Sequence, residues 1–287
     1  MFDRKATPAE RRICRIVGTP IGNLSDMSER AIAALRGADV IFAEDTRTAR
    51  GLLAHLDIKK ELHSYHKDNE LAASEQVLET IAAGKSVALI SEAGMPAISD
   101  PGYVLIRRLL EQGIPHEVIP CASAAVLAAV SSGLCENGRY LFYGFLSHKT
   151  SEAEAELVRL STASYPIVLY EAPHRLKRTL EVLLKYFEPP MAVCRELTKI
   201  YEEVVFVSSA EDIGKLIIKG EFCIVAKPKS ADVGQSERGA SGELAGVAIG
   251  KLTRLLAGEG LSPRRVASVL KELGVKRNEA YRLAQEL

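Results

Sequence analysis

The sequence has no Cys-x-x-Cys pair, no net charge and no long hydrophobic run, and each absence removes a class of protein. Its five cysteines, Cys14, Cys121, Cys135, Cys194 and Cys223, are odd in number and scattered. Neither a disulfide framework nor a zinc site is favoured, and buried free thiols are expected. No apolar stretch reaches the roughly 18 residues of a membrane-spanning helix, and the opening "MFDRKATPAERR" is polar, so no membrane partner and a cytoplasmic location are expected. Neither a Walker sequence nor G-x-G-x-x-G occurs, which removes support for an ordinary nucleoside triphosphatase or a common dinucleotide fold. What remains, with 47% hydrophobic and 26% charged residues over 287 positions, is a globular chain long enough for about two domains.

The balanced charge conceals an asymmetry. From Lys251 to Leu287 eight Lys or Arg face four Glu, a net +4, leaving −4 for the remainder. A basic C-terminal segment points to an acidic partner such as nucleic acid.

Short apolar runs alternate with helix-period segments through the first two thirds, the pattern of an α/β protein with mainly parallel strands. Strands are expected at 13–17, 39–43, 87–90 and 116–120 in a first α/β domain (1–120). A second α/β domain (121–228), with a sheet that can be mixed, has expected strands at 140–145, 166–171, 191–196, 203–207 and 221–227. The small-residue segment "CASAAVLAAVSSGL" reads as a helix that allows close backbone packing. Residues 229–243, rich in Ser and Gly, read as a flexible linker, and 244–287 as a basic helical tail. There Ser262 caps a helix opened by Pro263, with Val266, Val269, Leu270 and Leu273 on one face, and "VKRNEAYRLAQEL" starts another in a helix-turn-helix-like arrangement.

Ligands of open α/β sheets bind beyond the carboxyl ends of strands. Five segments there are unusual: "VGTPIGN", "AEDTR", "SEAGMPAISDPG", "YEAPHRL" and "RELTK". Each has a plain structural reading, as when Asp45 or Thr46 caps a helix, Pro173 opens one, or Arg195 and Glu196 pair on a surface. The Gly-Met-Pro turn exposes backbone groups suited to an adenosine or amino-acid moiety.

In order and spacing, "VGTPIGNLSDMSERA", "AEDTRTARGLL", "SYHKDNE", "SEAGMPAISDPGY", "YEAPHRL" and "RELTKIYEEV" resemble the tetrapyrrole-methylase superfamily from about Ile13 to Lys227. Within it they are more similar to the branch acting on ribosomal RNA than to the porphyrin enzymes. The resemblance implies S-adenosylmethionine in a cleft between two α/β domains, a homodimer, and 2′-O-methylation of a cytidine in the 16S rRNA of the small ribosomal subunit. It makes Glu92, Ala93, Gly94 and Met95 the cofactor loop, Ser123 and Ala124 a second contact, and Tyr170 and Glu171 a third, with Pro20 beside the ligand. Glu92 and Met95 stand where the family more often has Asp and Thr, and Cys121-Ala122 replaces Gly-Pro. A cysteine tolerates positive φ poorly, so an altered backbone is expected at 121.

Methylation of a ribose hydroxyl calls for in-line positioning and a general base. Candidates are Glu44, Asp45, His66 and Glu196, although "HKDNE" also reads as a solvated helix start. Arg47 and Arg175 suit phosphate or carboxylate contact, and Lys199, Arg264, Arg265, Lys276 and Arg277 extend the candidate RNA-binding set. The competing functions are tetrapyrrole or protein side-chain methylation on the same scaffold, and a non-catalytic nucleic-acid-binding regulator.

Overall fold

The computed structural model describes residues 13–229, 253, 256, 261–272 and 277–285. The candidate linker beyond Lys229, most of the segment 244–258, Leu273 and Lys276 lie outside the described residues.

The first sheet has five parallel strands: β1 (Cys14–Val17), β2 (Val40–Ala43), β3 (Glu61–Ser64), β4 (Val87–Ile90) and β5 (His116–Ile119), in the order β3-β2-β4-β1-β5. The inner strands read as unbroken apolar runs because both their faces are covered. Alternate residues serve opposite sides: Ile41 and Ala43 pack under α1 (Glu29–Gly37) and α2 (Thr46–His55), Val40 and Phe42 under α3 (Glu70–Ala82) and α4 (Tyr103–Glu111). Helix α1 starts where the Ser28 hydroxyl accepts from the Ala31 N–H, and buries Ala31, Ala34 and Leu35.

Strand β3, "ELHS", is an addition to the four strands expected in this half. It lies at the sheet edge, paired only with β2, so burial demands little apolar character of it.

The second sheet combines β6 (Leu141–Phe145), β7 (Ile167–Glu171), β8 (Phe187–Arg195), β9 (Glu203–Val207) and β10 (Phe222–Pro228), in the order β6-β7-β10-β8-β9. It is mixed: β6 and β7 are parallel, and the other pairings antiparallel. One face packs on α6 (Thr150–Leu160), α7 (Pro173–Tyr186) and α8 (Ala210–Lys215) through Leu157, Leu176, Leu180, Leu183 and Ile213. Its other face takes α5 (Ala124–Ser132), whose Ala125, Ala128 and Ala129 meet Val168, Ala192, Cys194 and Val225. The small side chains let helix and sheet approach closely. Ile21, from the loop after β1, joins this core and ties the two halves together.

Residues 230–287 form a separate compact unit. Within it α9 (Pro263–Glu272) and α10 (Arg277–Gln285) share a core of Val266, Ala267, Leu270, Ala280 and Ala284. Arg264 and Arg265 are exposed on α9. No helix among the described residues is long and apolar enough to cross a membrane.

Candidate functional site

The chain leaves β1 toward β2 on one side and leaves β4 toward β5 on the other. The carboxyl ends of these adjacent strands therefore form the switch point at which open sheets bind ligands. There the loops after β1 and β4 are joined by an antiparallel bridge: the Thr19 N–H donates to the Gly94 carbonyl at 2.9 Å, and the Gly94 N–H to that of Thr19 at 3.1 Å. The bridge consumes both Gly94 groups. The flanking N–H groups of Ala93 and Met95 have no hydrogen-bond partner among the described residues.

Gly18 underlies this bridge. A Cβ there would stand 2.6 Å from Cys121 Sγ and 2.7 Å from Met95 Sδ, so the departures at 95 and 121 fill the space beside one glycine. The altered backbone expected at Cys121 is not found, since its φ is not left-handed. The left-handed positions lie instead inside the long loop, at Gly94 (φ 79°), Ala97 (70°), Ser99 (64°) and Gly102 (142°). Non-glycine residues held this way store strain that concentrates at functional sites. Gly102 has no side chain to cap α4, and Glu70 substitutes: its Oε1 accepts from the N–H groups of Gly102 at 2.7 Å and Val104 at 3.2 Å.

The length of "SEAGMPAISDPG" now has a reason. The loop crosses from the first sheet to the second, where Ser99 Oγ comes within 3.0 Å of where a Cβ on Gly144 of β6 would stand. Tyr170, at the end of β7, presents its ring between Phe142 and Phe145, with centroids 4.9 and 5.5 Å away. Burial first, then the charge of Cys223, push its hydroxyl up to about 12, with Asp100 adding to the effect and hydrogen bonds to Ala125 and Ser123 opposing it. Ser123 also caps α5.

The "TPIGN" and "RELTK" segments meet across the same opening. A Cβ on Gly22 would fall 2.4 Å from Lys199 Cγ, and the Asn23 N–H donates to Thr198 Oγ1 at 3.1 Å. Glu196 is held in place: its Oε1 accepts from Lys199 Nζ and from the Glu221 N–H, each at 3.0 Å. Burial raises its carboxyl, but Lys199, Glu221 and Arg195 together bring it below the ordinary value. Lys199 also reaches Glu221 at 3.0 Å.

Glu171 is similarly committed. Its carboxylate is buried, and Oε1 accepts from the Ala172 N–H and Arg175 Nε, both at 2.7 Å, while Oε2 accepts from the Thr179 hydroxyl at 2.6 Å. The Arg175 fork donates onward to the carbonyls of Leu146 and Ser147, so it holds the end of β6 against α7.

Asp45 caps α2, accepting from the N–H groups of Arg47 at 2.7 Å and Thr48 at 3.4 Å, and pairs with the Arg47 guanidinium at 3.1 Å. These contacts, led by the Arg47 side chain, hold its carboxyl below the ordinary range. Glu44 stands apart: half-buried, it accepts only a long 3.4 Å bond from the Glu92 N–H. Burial raises its pKa, with Glu92 and Asp45 adding to the rise and His66 opposing it. Half-buried Asp100 is pushed up to about 7 by burial and then by Glu44, a hydrogen bond to Ser91 opposing the shift. The Glu44 carboxylate thus bears on the Asp100 carboxyl.

Of the residues singled out from sequence, Pro20, Glu44, Glu92, Gly94, Met95, Ser123 and Tyr170 gather around this opening. Glu171, Arg175 and Glu196 stand at its edge with their polar groups engaged, while Arg264, Arg265 and the helix opened by Arg277 belong to the separate unit. Asp100 was missed, although "SDPG" contains it. Its burial comes from the loop's crossing to the second sheet, for which the sequence carries no local signal.

Comparison with known proteins gives a consistent result. The model of the Tetrapyrrole (Corrin/Porphyrin) Methylases matches residues 14–213. A Synechocystis sp. protein named ribosomal RNA small subunit methyltransferase I is 38% identical, over 96% of this chain and 98% of its own. One of the same name from Halalkalibacterium halodurans is 41% identical over 77% of this chain and 78% of its own. Among solved structures, diphthine synthase superposes with a TM-score of 0.62 at 16% identity, covering 75% of this chain and 90% of that one. At that identity the likeness concerns the fold alone.

Proposed function

This chain belongs to the tetrapyrrole (corrin/porphyrin) methylase family, and we propose that it transfers a methyl group from S-adenosylmethionine to the 16S rRNA of the small ribosomal subunit, at the 2′-oxygen of a cytidine. The observation that carries this reading is the full-length similarity to relatives named for small-subunit rRNA methylation. The cytidine and the 2′-oxygen rest on the motif resemblance.

The residues present fit the cofactor. Unpartnered N–H groups at Ala93 and Met95 suit the polar end of an amino acid, and the Tyr170 ring with Ala124 offers apolar surface. When bound, S-adenosylmethionine supplies an electrophilic methyl on a sulfonium. Met95, Ala93, Ser123, Ala124, Tyr170 and Pro20 hold and orient it, and the Thr19–Gly94 bridge fixes the loops that carry them.

Removal of the hydroxyl proton falls to Glu44, with Asp100 as its coupled partner. Both carboxyls are raised above the ordinary range, Asp100 to about 7, which makes them stronger proton acceptors than an ordinary carboxylate. Asp45 is engaged by its cap and the Arg47 guanidinium, and Glu196 Oε1 by Lys199 and the Glu221 N–H, so we assign the base to neither. Arg47, Lys199, Arg264, Arg265, Lys276 and Arg277 are our candidates for phosphate contact. The enzyme works in the cytoplasm as a homodimer in this reading.

The test is transfer of labelled methyl from S-adenosylmethionine to small subunits isolated from cells lacking the gene. Labelling of 16S rRNA in small subunits, but not of large subunits, supports the proposal. No labelling in the presence of bound cofactor refutes the substrate assignment.

A further inference from the structure

Beside the switch point lies a groove of about 320 Å³, lined by Pro20, Leu24, Thr48, Leu52, Ile90 and Glu92 among others. We propose that this groove receives the base of the target nucleotide, and that the Glu92 carboxylate selects a base carrying an exocyclic amine. The inference rests on the rRNA reading above and adds to it a specificity-determining residue.

Size comes first. Small-ligand pockets span about 300–1,000 Å³, and this open groove is at the low end, with room for one nucleoside base. The walls suit a flat heterocycle. Leu24, on the 3-10 turn Leu24–Asp26, is 45% exposed and has its apolar surface turned to solvent, while Leu52 and Ile90 supply further apolar lining. Glycines at 22 and 51 leave the lining without side chains at two positions.

Glu92 supplies the one charged group among the lining residues, beside the hydroxyls of Thr19, Thr48 and Ser91. The Glu92 side chain is exposed and makes no hydrogen bond or ion pair among the described residues, although its backbone is tied to Glu44. Arg47, within electrostatic reach of it, is paired with Asp45 and has a side chain 87% exposed, better placed for a phosphate outside the groove. A carboxylate only accepts hydrogen bonds. It therefore complements the N4 amine of cytosine or the N6 amine of adenine, whereas uracil would set its O4 acceptor against another acceptor. The Glu44 carboxylate accepts from the Glu92 backbone N–H at 3.4 Å, so the proposed proton acceptor adjoins the residue that would read the base. Glu92 thus serves substrate rather than cofactor, in contrast to the role implied by the motif resemblance.

The experiment uses small subunits reassembled with 16S rRNA carrying C, A or U at the position the wild-type enzyme labels. Single-turnover methyl transfer is measured for wild type and Glu92→Gln, with S-adenosylmethionine affinity from calorimetry on both. The expected result is transfer to C and A about tenfold faster than to U for wild type, a narrowed gap for Glu92→Gln, whose amide both donates and accepts, and equal cofactor affinity. Wild-type transfer without base preference, an undiminished gap in the variant, or a matching loss of cofactor affinity overturns the assignment while leaving the rRNA reading intact. Absence of transfer to every subunit overturns both.

Discussion

Replacing Glu171 with Gln separates a structural carboxylate from a ligand-binding one. The Glu171 side chain is 1% exposed and that of its partner Arg175 is 16% exposed. The carboxylate accepts three hydrogen bonds, from Ala172, Arg175 and Thr179, whereas an amide keeps a single acceptor oxygen and replaces the other with an NH₂ donor. The substitution leaves a buried guanidinium without its counter-ion and turns an NH₂ group toward a donor. Breaking a buried pair in this way costs about 3–5 kcal/mol. Arg175 keeps the Leu146 and Ser147 carbonyls, which places the expected loss at the lower end, about 3 kcal/mol. For a folded unit of this size that lowers the melting temperature by about 6–12 °C. The assay is calorimetric melting together with S-adenosylmethionine titration at a temperature where the variant is folded. Adding Arg175→Met to Glu171→Gln removes the stranded charge and recovers part of the loss. An unchanged melting temperature with cofactor affinity reduced tenfold or so would refute the reasoning and return Glu171 to the cofactor site.

Other consequences follow from the same contacts. Because the folded state holds the Asp100 proton up to about 7, against 3.8 for an ordinary carboxyl, its favourable contribution is complete below about pH 4 and is lost as pH rises through 7; Asp100→Asn should therefore raise the melting temperature at pH 8 and leave it unchanged at pH 4, as thermal melts at the two pH values will read. Single-turnover methyl transfer should rise with pH as the coupled Glu44 and Asp100 ionise, and Glu44→Gln should depress the rate while preserving cofactor affinity. Asp45→Ala should cost about 1 kcal/mol by removing the α2 cap and Asp45→Asn much less, measured by denaturant unfolding, with both variants retaining transfer. Gly22→Ala should displace the Lys199 stem and loosen the Asn23–Thr198 contact, costing about 1–3 kcal/mol in the same unfolding measurement.

The inner strands were legible because burial on both faces leaves an apolar run in the sequence, as in "VALI" of β4 and "VIFA" of β2. Edge strand β3 was not, since half-exposed "ELHS" carries no such run. The small-residue helix α5 announced its close packing, but that it would share a core with Ile21 from the loop after β1 depends on tertiary approach. The same limit applied to Asp100: a carboxyl's surroundings arise only when the loop reaches the second sheet. Left-handed Ala97 and Ser99 were hidden for another reason, because neither residue type signals positive φ. By contrast, Glu171 ends β7 just before Pro173 opens α7, and Arg175 and Thr179 share one face of that helix, a spacing that could have exposed the pairing from sequence.

The central claim is that this chain methylates a cytidine ribose in 16S rRNA, and the most direct measurement is mass spectrometry of nuclease-digested 16S rRNA from cells with and without the gene. A 2′-O-methylcytidine present in the first and absent from the second, restored by the wild-type gene but not by Glu44→Gln, is the predicted result. An identical set of ribose-methylated nucleotides in both strains would contradict the account.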